Sequence, residues 1–142
     1  MKTILVPVDF SDVTPKLADA AAKMAEKFQG KVILLHSASG EGSLAQGLMP
    51  TPITSNTGVE NARRRLHEIK ARLAALPLEV EVVLFDGGSP LKNIAAECES
   101  RGVDLVIMGT HGHRSLHDRL VGSVTAGMIK LAKWPVMMMP SP

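Results

Sequence analysis

Five short apolar runs, rich in β-branched residues, alternate along the chain with segments whose apolar residues recur at helical spacing. Short apolar runs predict strands, and apolar spacings of three and four residues predict helices. Strands that alternate with helices are typically parallel and joined by helical crossovers. We therefore predict an α/β fold with an open parallel sheet. The predicted strands span Ile4–Val8, Val32–Leu35, Leu78–Leu84, Val103–Met108 and Val136–Met139.

Helices are predicted between these strands. Thr14 followed by Pro15 is a favourable N-cap and first position for the first helix. Gly30 stands where a helix C-cap glycine is usually found. The sequence Ser89-Pro90 predicts the start of a later helix, and Val124 begins the last one. The alternating pattern of the strand before Ser89 is typical of a half-exposed position at a sheet edge.

A long segment at 37–58 interrupts this regular alternation. It is punctuated by glycine and proline and is rich in serine and threonine, so we predict a long loop. Thr57 and Glu60 form a capping box that predicts the start of the next helix. The apolar face of that helix has the most regular spacing in the chain and comprises Val59, Ala62, Leu66, Ile69, Leu73 and Leu76.

Composition excludes several classes of protein. A length of 142 residues suits a single domain spanning residues 1–142. A net charge of +2 and an aromatic content of 3% argue against a nucleic-acid partner. No apolar run approaches the roughly 20 residues that cross a membrane, and the first run is too short for a signal peptide. The single Cys98 excludes an intrachain disulfide and a thiolate zinc site. We expect a cytoplasmic protein with no membrane partner.

Glycines are regularly placed in the segment after the fourth predicted strand. Gly109 is followed three residues later by Gly112, and nine residues then precede Gly122-Ser123 at the start of a predicted helix. Glycines let the backbone approach a phosphate closely, and a helix N-terminus favours an anion. The segment therefore predicts a phosphate-binding loop, although it matches neither the P-loop nor the Rossmann pattern. Polar or cationic side chains that accompany it are His111, His113, Arg114, Arg119, Ser123 and Thr125.

In these features the chain resembles the universal stress proteins, whose nucleotide-binding members carry the motif G-x2-G-x9-G-[ST] after the fourth strand. Gly109, Gly112, Gly122 and Ser123 match every defined position of that motif. Three further segments match the family in order and spacing. These are Val6-Pro7-Val8-Asp9-Phe10-Ser11, Asp104-Leu105-Val106-Ile107-Met108-Gly109 and Trp134-Pro135-Val136. The resemblance covers essentially the whole chain.

The resemblance implies a five-stranded parallel sheet of order 3-2-1-4-5, with helices on both faces and ATP at the switch point between strands one and four. Asp9 would face the adenosine and the metal, and the backbone of Ser37 and Ala38 would border the adenine. Gly109 and Gly112 would approach the ribose and phosphates. Mg²⁺ would be held mostly by phosphate oxygens and water. The full set of implied binding residues is Pro7, Val8, Asp9, Ser37, Ala38, Met108, Gly109, His111, Gly112, His113, Arg114, Gly122, Ser123, Val124 and Thr125.

Several of these residues have alternative interpretations. The alternative for Asp9 is that it only caps the first helix, and the alternative for the glycines is that they serve only turns and packing. The spacing of His111, His113 and His117 is compatible with a transition-metal site, although no fourth ligand is evident. Cys98 lies on an apolar helix face, which favours a buried small residue over a reactive thiol.

Three functions are compatible with the sequence. The first is an ATP-binding module for stress response, with slow or no hydrolysis. The second is an enzyme, either a slow ATPase or a phosphotransferase, although no nucleophile and base stand at a recognisable spacing and no catalytic residue is predicted. The third is a nucleotide-free interaction protein. The apolar last strand, Val136–Met139, further predicts a homodimer formed at a sheet edge.

Overall fold

The computed structural model describes residues 2–38, 52–110 and 122–140. The strands of these ranges form one parallel sheet of order β3-β2-β1-β4-β5. This order confirms the α/β fold and the strand order that the family resemblance implies. The strands are β1 Thr3–Pro7, β2 Lys31–Ala38, β3 Glu79–Asp86, β4 Leu105–Gly109 and β5 Val136–Met139. The helices are α1 Thr14–Phe28, α2 Pro52–Leu73, α3 Pro90–Ser100 and α4 Ser123–Leu131.

Two hydrophobic layers cover the two faces of the sheet. Successive residues of a strand point to opposite faces, so Ile4 and Val6 pack in the layer of α1 and α2, whereas Leu5 packs in the layer of α3 and α4. The first layer includes Leu17 and Leu66 of the helices. Both faces of the central strands are therefore buried, as expected of a parallel sheet with helical crossovers.

Cys98 belongs to the second layer and is fully buried. Burial, followed by the charge of Glu97, raises the pKa of the Cys98 thiol to about 11. At neutral pH the thiol is protonated and unreactive. The interpretation of Cys98 as a buried small residue is confirmed.

The ends of α1 differ from the prediction. Val13, not Thr14, occupies the N-cap, and no side chain in the described part of the protein caps the helix. The hydroxyl oxygen of Thr14 is buried and has no hydrogen-bond partner among the described residues. At the other end the left-handed residue is Gln29, with φ of 51°, so the prediction that Gly30 is the C-cap residue was wrong. Gly30 instead passes close to the backbone of Lys2, where a Cβ atom would lie 2.5 Å from the carbonyl oxygen.

The predicted loop at 37–58 was too long at both ends. Strand β2 continues through Ala38, and α2 begins at Pro52. The capping box was therefore wrong, because Thr57 lies inside the helix. The predicted apolar face of α2 is confirmed, since Ala62, Leu66 and Leu73 are buried. The remaining part of the predicted loop, 39–51, lies outside the described residues.

The later boundaries agree closely with the sequence pattern. The Ser89 side chain accepts a hydrogen bond from the Lys92 backbone N–H at 3.3 Å, which confirms Ser89 as the N-cap of α3. Helix α4 begins at Ser123, one residue before the predicted Val124. Strand β5 has the predicted bounds. No helix within 2–38, 52–110 or 122–140 is long and apolar enough to cross a membrane.

The two edges of the sheet differ in character. On edge strand β3, Glu81 contacts Lys31 at 3.4 Å and also pairs with Arg101. Burial tends to raise the pKa of Glu81, but the hydrogen bonds and charges of Arg101 and Lys31 outweigh burial and hold this pKa below its ordinary value. On edge strand β5, Met138 is 42% exposed. One edge is thus charged and the other apolar.

Candidate functional site

A cavity of about 270 Å³ lies at the carboxyl ends of β1, β2 and β4. Strands β1 and β4 are neighbours in the sheet, and the chain winds away from them in opposite directions. Ligands of open α/β sheets bind at such a switch point. The lining residues are Pro7, Val8, Asp9, Val13, Leu17, Leu35, His36, Ser37, Pro90, Ile94, Met108, Gly109, Gly122, Ser123, Val124 and Thr125.

Most of the predicted binding residues that the structure describes line this cavity. They are Pro7, Val8, Asp9, Ser37, Met108, Gly109, Gly122, Ser123, Val124 and Thr125. Ala38 is the exception, because its carbonyl oxygen accepts a hydrogen bond from the Gly87 N–H at 2.9 Å and the residue does not line the cavity. The predictions for His111, Gly112, His113, Arg114, His117 and Arg119 lie outside the described residues.

Helices α1 and α3 contribute cavity walls that the sequence motifs do not indicate. Val13 and Leu17 come from the start of α1, and Pro90 and Ile94 come from the start of α3. Val13, Leu17 and Ile94 are also buried core residues. His36 was missed because the predicted strand ends at Leu35, whereas β2 continues through Ala38.

The N-terminus of α4 opens into the cavity. Gly122 is the N-cap residue, and the first helical hydrogen bond runs from the Ala126 N–H to the Gly122 carbonyl oxygen at 2.9 Å. The N–H groups of the next three residues therefore have no partner within the helix. No side chain among the described residues caps them, and all three residues line the cavity: Ser123, Val124 and Thr125. Unpaired N–H groups and the helix dipole together favour an anion here.

The hydroxyl group of Thr125 has a structural role. It donates a hydrogen bond to the Gly109 carbonyl oxygen at 2.9 Å, and Thr125 is buried. In this arrangement the hydroxyl proton is committed to Gly109, so the Thr125 hydroxyl oxygen remains only as an acceptor. The Gly122 N–H in turn donates to the Thr110 carbonyl oxygen at 2.7 Å. Together these bonds hold the start of α4 against the end of β4.

Asp9 lines the cavity and also shapes the turn that leads into α1. Its Oδ1 atom accepts a hydrogen bond from the Ser11 N–H at 2.9 Å. The turn places Phe10 at φ of 62°, a left-handed conformation that is costly for a bulky residue. This bond closes the turn before α1 and does not cap the helix, whose N-cap residue is Val13, so the alternative interpretation of Asp9 as a cap of the first helix was wrong.

Aromatic stacking holds the strained Phe10 in place. The centroid of its ring lies 4.5 Å from that of the His36 ring. In a second contact, the guanidinium of Arg65, a residue of α2, lies 4.4 Å from the Phe10 ring centroid. His36 Nδ1 is 2.8 Å from the Val8 carbonyl oxygen. A carbonyl oxygen can only accept, so Nδ1 carries the proton. These contacts fix the wall of the cavity between β1 and β2.

Within residues 2–38, 52–110 and 122–140, no three His, Cys, Asp or Glu side chains are grouped closely enough to hold a metal ion. Asp9 is the carboxylate on the cavity wall among these residues. Any divalent cation here would take most of its ligands from a bound phosphate and water, which suits Mg²⁺ better than zinc.

A model of the universal stress protein family matches residues 1–140. The chain belongs to the universal stress protein family. Universal stress protein MJ0577 of Methanocaldococcus jannaschii is 31% identical over 155 residues, covering 96% of this chain and 93% of that protein. Universal stress protein YxiE of Bacillus subtilis is 26% identical over 142 residues, covering 94% and 95% of the two chains. The family predicted from the motifs is confirmed.

Solved structures of universal stress proteins share the fold. The structure of MJ0577 matches with a TM-score of 0.82 at 30% identity, covering 99% of this chain and 96% of that chain. A universal stress protein in complex with cAMP matches with a TM-score of 0.70 at 21% identity, covering 99% and 98%. The universal stress protein from Archaeoglobus fulgidus in complex with dAMP matches with a TM-score of 0.70 at 22% identity, covering 97% of each chain. The last two matches establish the fold alone.

Proposed function

We propose that this universal stress protein binds ATP with Mg²⁺ in the cavity and acts as a nucleotide-dependent regulatory module that hydrolyses ATP slowly or not at all. The observation that carries the proposal is the uncapped N-terminus of α4, whose first three residues line the cavity. Members of the family have been solved in complex with cAMP and with dAMP, which supports an adenine nucleotide as the ligand.

The lining of the cavity suits both the phosphates and the base of a nucleotide. The N–H groups of Ser123, Val124 and Thr125 would bind phosphate oxygens, because they are unpaired donors at the positive end of a helix dipole. The apolar walls from Val13 and Ile94 suit a flat aromatic base. Gly109 and Gly122 line the cavity without a side chain that would fill it.

Asp9 is the residue that would face the metal. Bound Mg²⁺ neutralises phosphate charge and prefers oxygen ligands, most of them from phosphate and water. A single carboxylate on the cavity wall fits that requirement. The Ser11 N–H holds the Asp9 side chain toward the end of β1, where the cavity opens.

The proposal is tested by titrating the purified protein with Mg-ATP in a calorimeter and by melting it with and without nucleotide. At about 100 times its dissociation constant, a ligand stabilises the folded state by about 2.7 kcal/mol. For a chain of this size we expect a rise in Tm of roughly 5–10 °C. No heat and no rise in Tm would refute ATP binding. The same samples, assayed for ADP, should show turnover far below the ~1–1000 per second of ordinary enzymes.

The two other functions give different results in the same measurements. Turnover in the ordinary enzymatic range, lost in Asp9→Asn, would establish the enzyme in place of the regulatory module. A protein that carries no nucleotide after purification and binds none would be an interaction protein. Mass spectrometry of the small molecules that copurify shows whether the purified protein carries a nucleotide.

The cytoplasmic location predicted from the sequence stays a prediction.

We also propose that two copies pair through β5. Val136, Met137 and Met139 pack against the core of their own chain, so Met138 is the residue of this strand with the most exposed side chain. Antiparallel pairing of two β5 strands would satisfy the backbone groups of the open edge and cover Met138.

Light scattering at micromolar concentration should therefore give the mass of a dimer, and Met138→Asp should give a folded monomer because it places two like charges in the contact. Phe28→Asp is the matched control, since Phe28 is 44% exposed but lies at the end of α1. It should leave the mass unchanged. A monomeric parent protein would refute the dimer.

A further inference from the structure

The side-chain amide of Asn93 joins two segments at the edge of the cavity. Its Nδ2 atom lies 3.0 Å from the Gly87 carbonyl oxygen and 2.9 Å from the Ser37 hydroxyl oxygen. The carbonyl oxygen can only accept, so the amide nitrogen faces it and the orientation of the amide is fixed. The two amide hydrogens then serve two acceptors, and the Ser37 oxygen is one of them.

The partners of Asn93 are themselves held firmly. Asn93 lies in the first turn of α3, where its backbone N–H donates to the Ser89 carbonyl oxygen at 2.9 Å. The Gly87 N–H donates to the Ala38 carbonyl oxygen at 2.9 Å, which fastens the turn after β3 to the end of β2. Gly87 adopts φ of 103°, a conformation that favours glycine. Backbone hydrogen bonds therefore hold Asn93 and the Gly87 carbonyl group in place, in addition to the bonds that the Asn93 side chain makes.

Ser37 is left with a proton to donate. Its oxygen accepts from Asn93, and its hydroxyl hydrogen has no acceptor among the described residues. Ser37 lines the cavity, on the side of β2 that faces α3. A hydroxyl whose oxygen is occupied by a fixed donor turns its proton away from that donor. The cavity, which Ser37 lines, is open to that proton.

We propose that Asn93 is a positioning residue that directs the Ser37 hydroxyl proton into the cavity, where Ser37 donates a hydrogen bond to an unprotonated ring nitrogen of a bound adenine. This inference rests on the proposed function and adds a specificity-determining side chain to it. The unprotonated ring nitrogens of adenine only accept hydrogen bonds. A donor that is fixed in the cavity therefore favours a base that presents such a nitrogen over one that presents an N–H group there.

The variant that isolates this role is Asn93→Asp, which keeps the shape of the side chain but replaces the donor by an acceptor. A carboxylate would accept the Ser37 proton and turn it out of the cavity. We expect the affinity for adenosine and for Mg-ATP to fall about 3- to 10-fold, and Ser37→Ala to cause the same loss. The double variant should lose no more than either single variant. Adenosine carries no phosphate, so a loss there does not arise from charge repulsion.

Purine analogues identify the acceptor. Among the 1-deaza, 3-deaza and 7-deaza forms of adenosine, one should bind the parent protein about 3- to 10-fold more weakly than adenosine does, and Ser37→Ala should bind that form and adenosine equally. Ser89→Ala is the matched control, since it removes the N-cap of the same helix and leaves the Asn93 amide in place. It should lower the Tm without changing the affinity.

Two kinds of failure are distinguishable. A parent protein that binds neither adenosine nor Mg-ATP overturns the proposed function and this inference together. A parent protein that binds both, while Asn93→Asp and Ser37→Ala bind them within twofold of the parent, overturns this inference alone. Additive losses in the double variant, or a Ser37→Ala protein that still binds the weakened deaza form less tightly than adenosine, do the same.

Discussion

Gly122→Val should abolish the rise in Tm that Mg-ATP produces and should leave a folded protein. Gly122 lines the cavity at the N-cap of α4, so a branched side chain there occupies space next to the unpaired N–H groups. Its φ of −59° and ψ of 156° are accessible to any residue, so valine causes no backbone strain. We expect loss of the full ~5–10 °C rise and no measurable heat on titration.

A modest loss of intrinsic stability is expected in the same variant, because valine is a poorer N-cap than glycine by up to about 1 kcal/mol. The comparison is therefore between the Tm of each protein with and without nucleotide. Gly58→Ala is the control, since Gly58 lies on the exposed side of α2 and a Cβ atom there meets nothing within 4 Å. If Gly122→Val kept the rise in Tm, the phosphate would not bind at α4.

Gly30→Ala should lower the free energy of unfolding by about 2–3 kcal/mol, a large effect for one methyl group. The new Cβ would lie 2.5 Å from the Lys2 carbonyl oxygen and 3.1 Å from the Lys2 Cα. These are backbone atoms, and the same carbonyl oxygen accepts a hydrogen bond from the Lys31 N–H at 2.8 Å. Relief of the clash must therefore separate the first residues of β1 and β2. Thermal denaturation should show a fall in Tm of roughly 5–10 °C.

Gly127→Ala provides a stringent comparison. A Cβ atom there would lie 2.6 Å from Leu91 Cδ2, a contact nearly as short as the one at Gly30. The end of a leucine side chain can move aside, and alanine favours the helix by up to about 1 kcal/mol over glycine. We expect a change of less than about 1 kcal/mol. Equal losses in the two variants would show that rigidity of the neighbour is not the deciding factor.

Periodicity predicted the strands and helices well because apolar spacing reports directly which residues face a core. The apolar face of α2 was correct for this reason, although its start was not. Pro52 begins the helix, and the glycine and proline residues nearby favoured a loop over 37–58. Gly30 was predicted as a helix C-cap residue, but the structure requires glycine there because the backbone of Lys2 lies close to it. The contact with Lys2 joins residues far apart in sequence, and local patterns carry no information on it.

The candidate site was predictable where strands end and unpredictable where helices complete it. Asp9, Ser37 and Gly109 lie at or just beyond the carboxyl ends of their strands, and these ends meet at one edge of the sheet. Val13 and Ile94 stand in helices on opposite faces of that sheet. Their approach to a common cavity depends on how each helix packs, which single-sequence spacing does not give. The Asn93 amide was missed for the same reason.

The difference between the two edges of the sheet sets the valence of the molecule. At the β3 edge, Glu81 is paired with Lys31 and Arg101, so another strand added there must displace or bury charges. At the β5 edge, Met138 offers an apolar surface. A body with one adhesive edge has a valence of one, and growth of a filament needs at least two. The proposed pairing through β5 would use that single valence, so we expect it to end with a closed pair that leaves two charged edges facing outward.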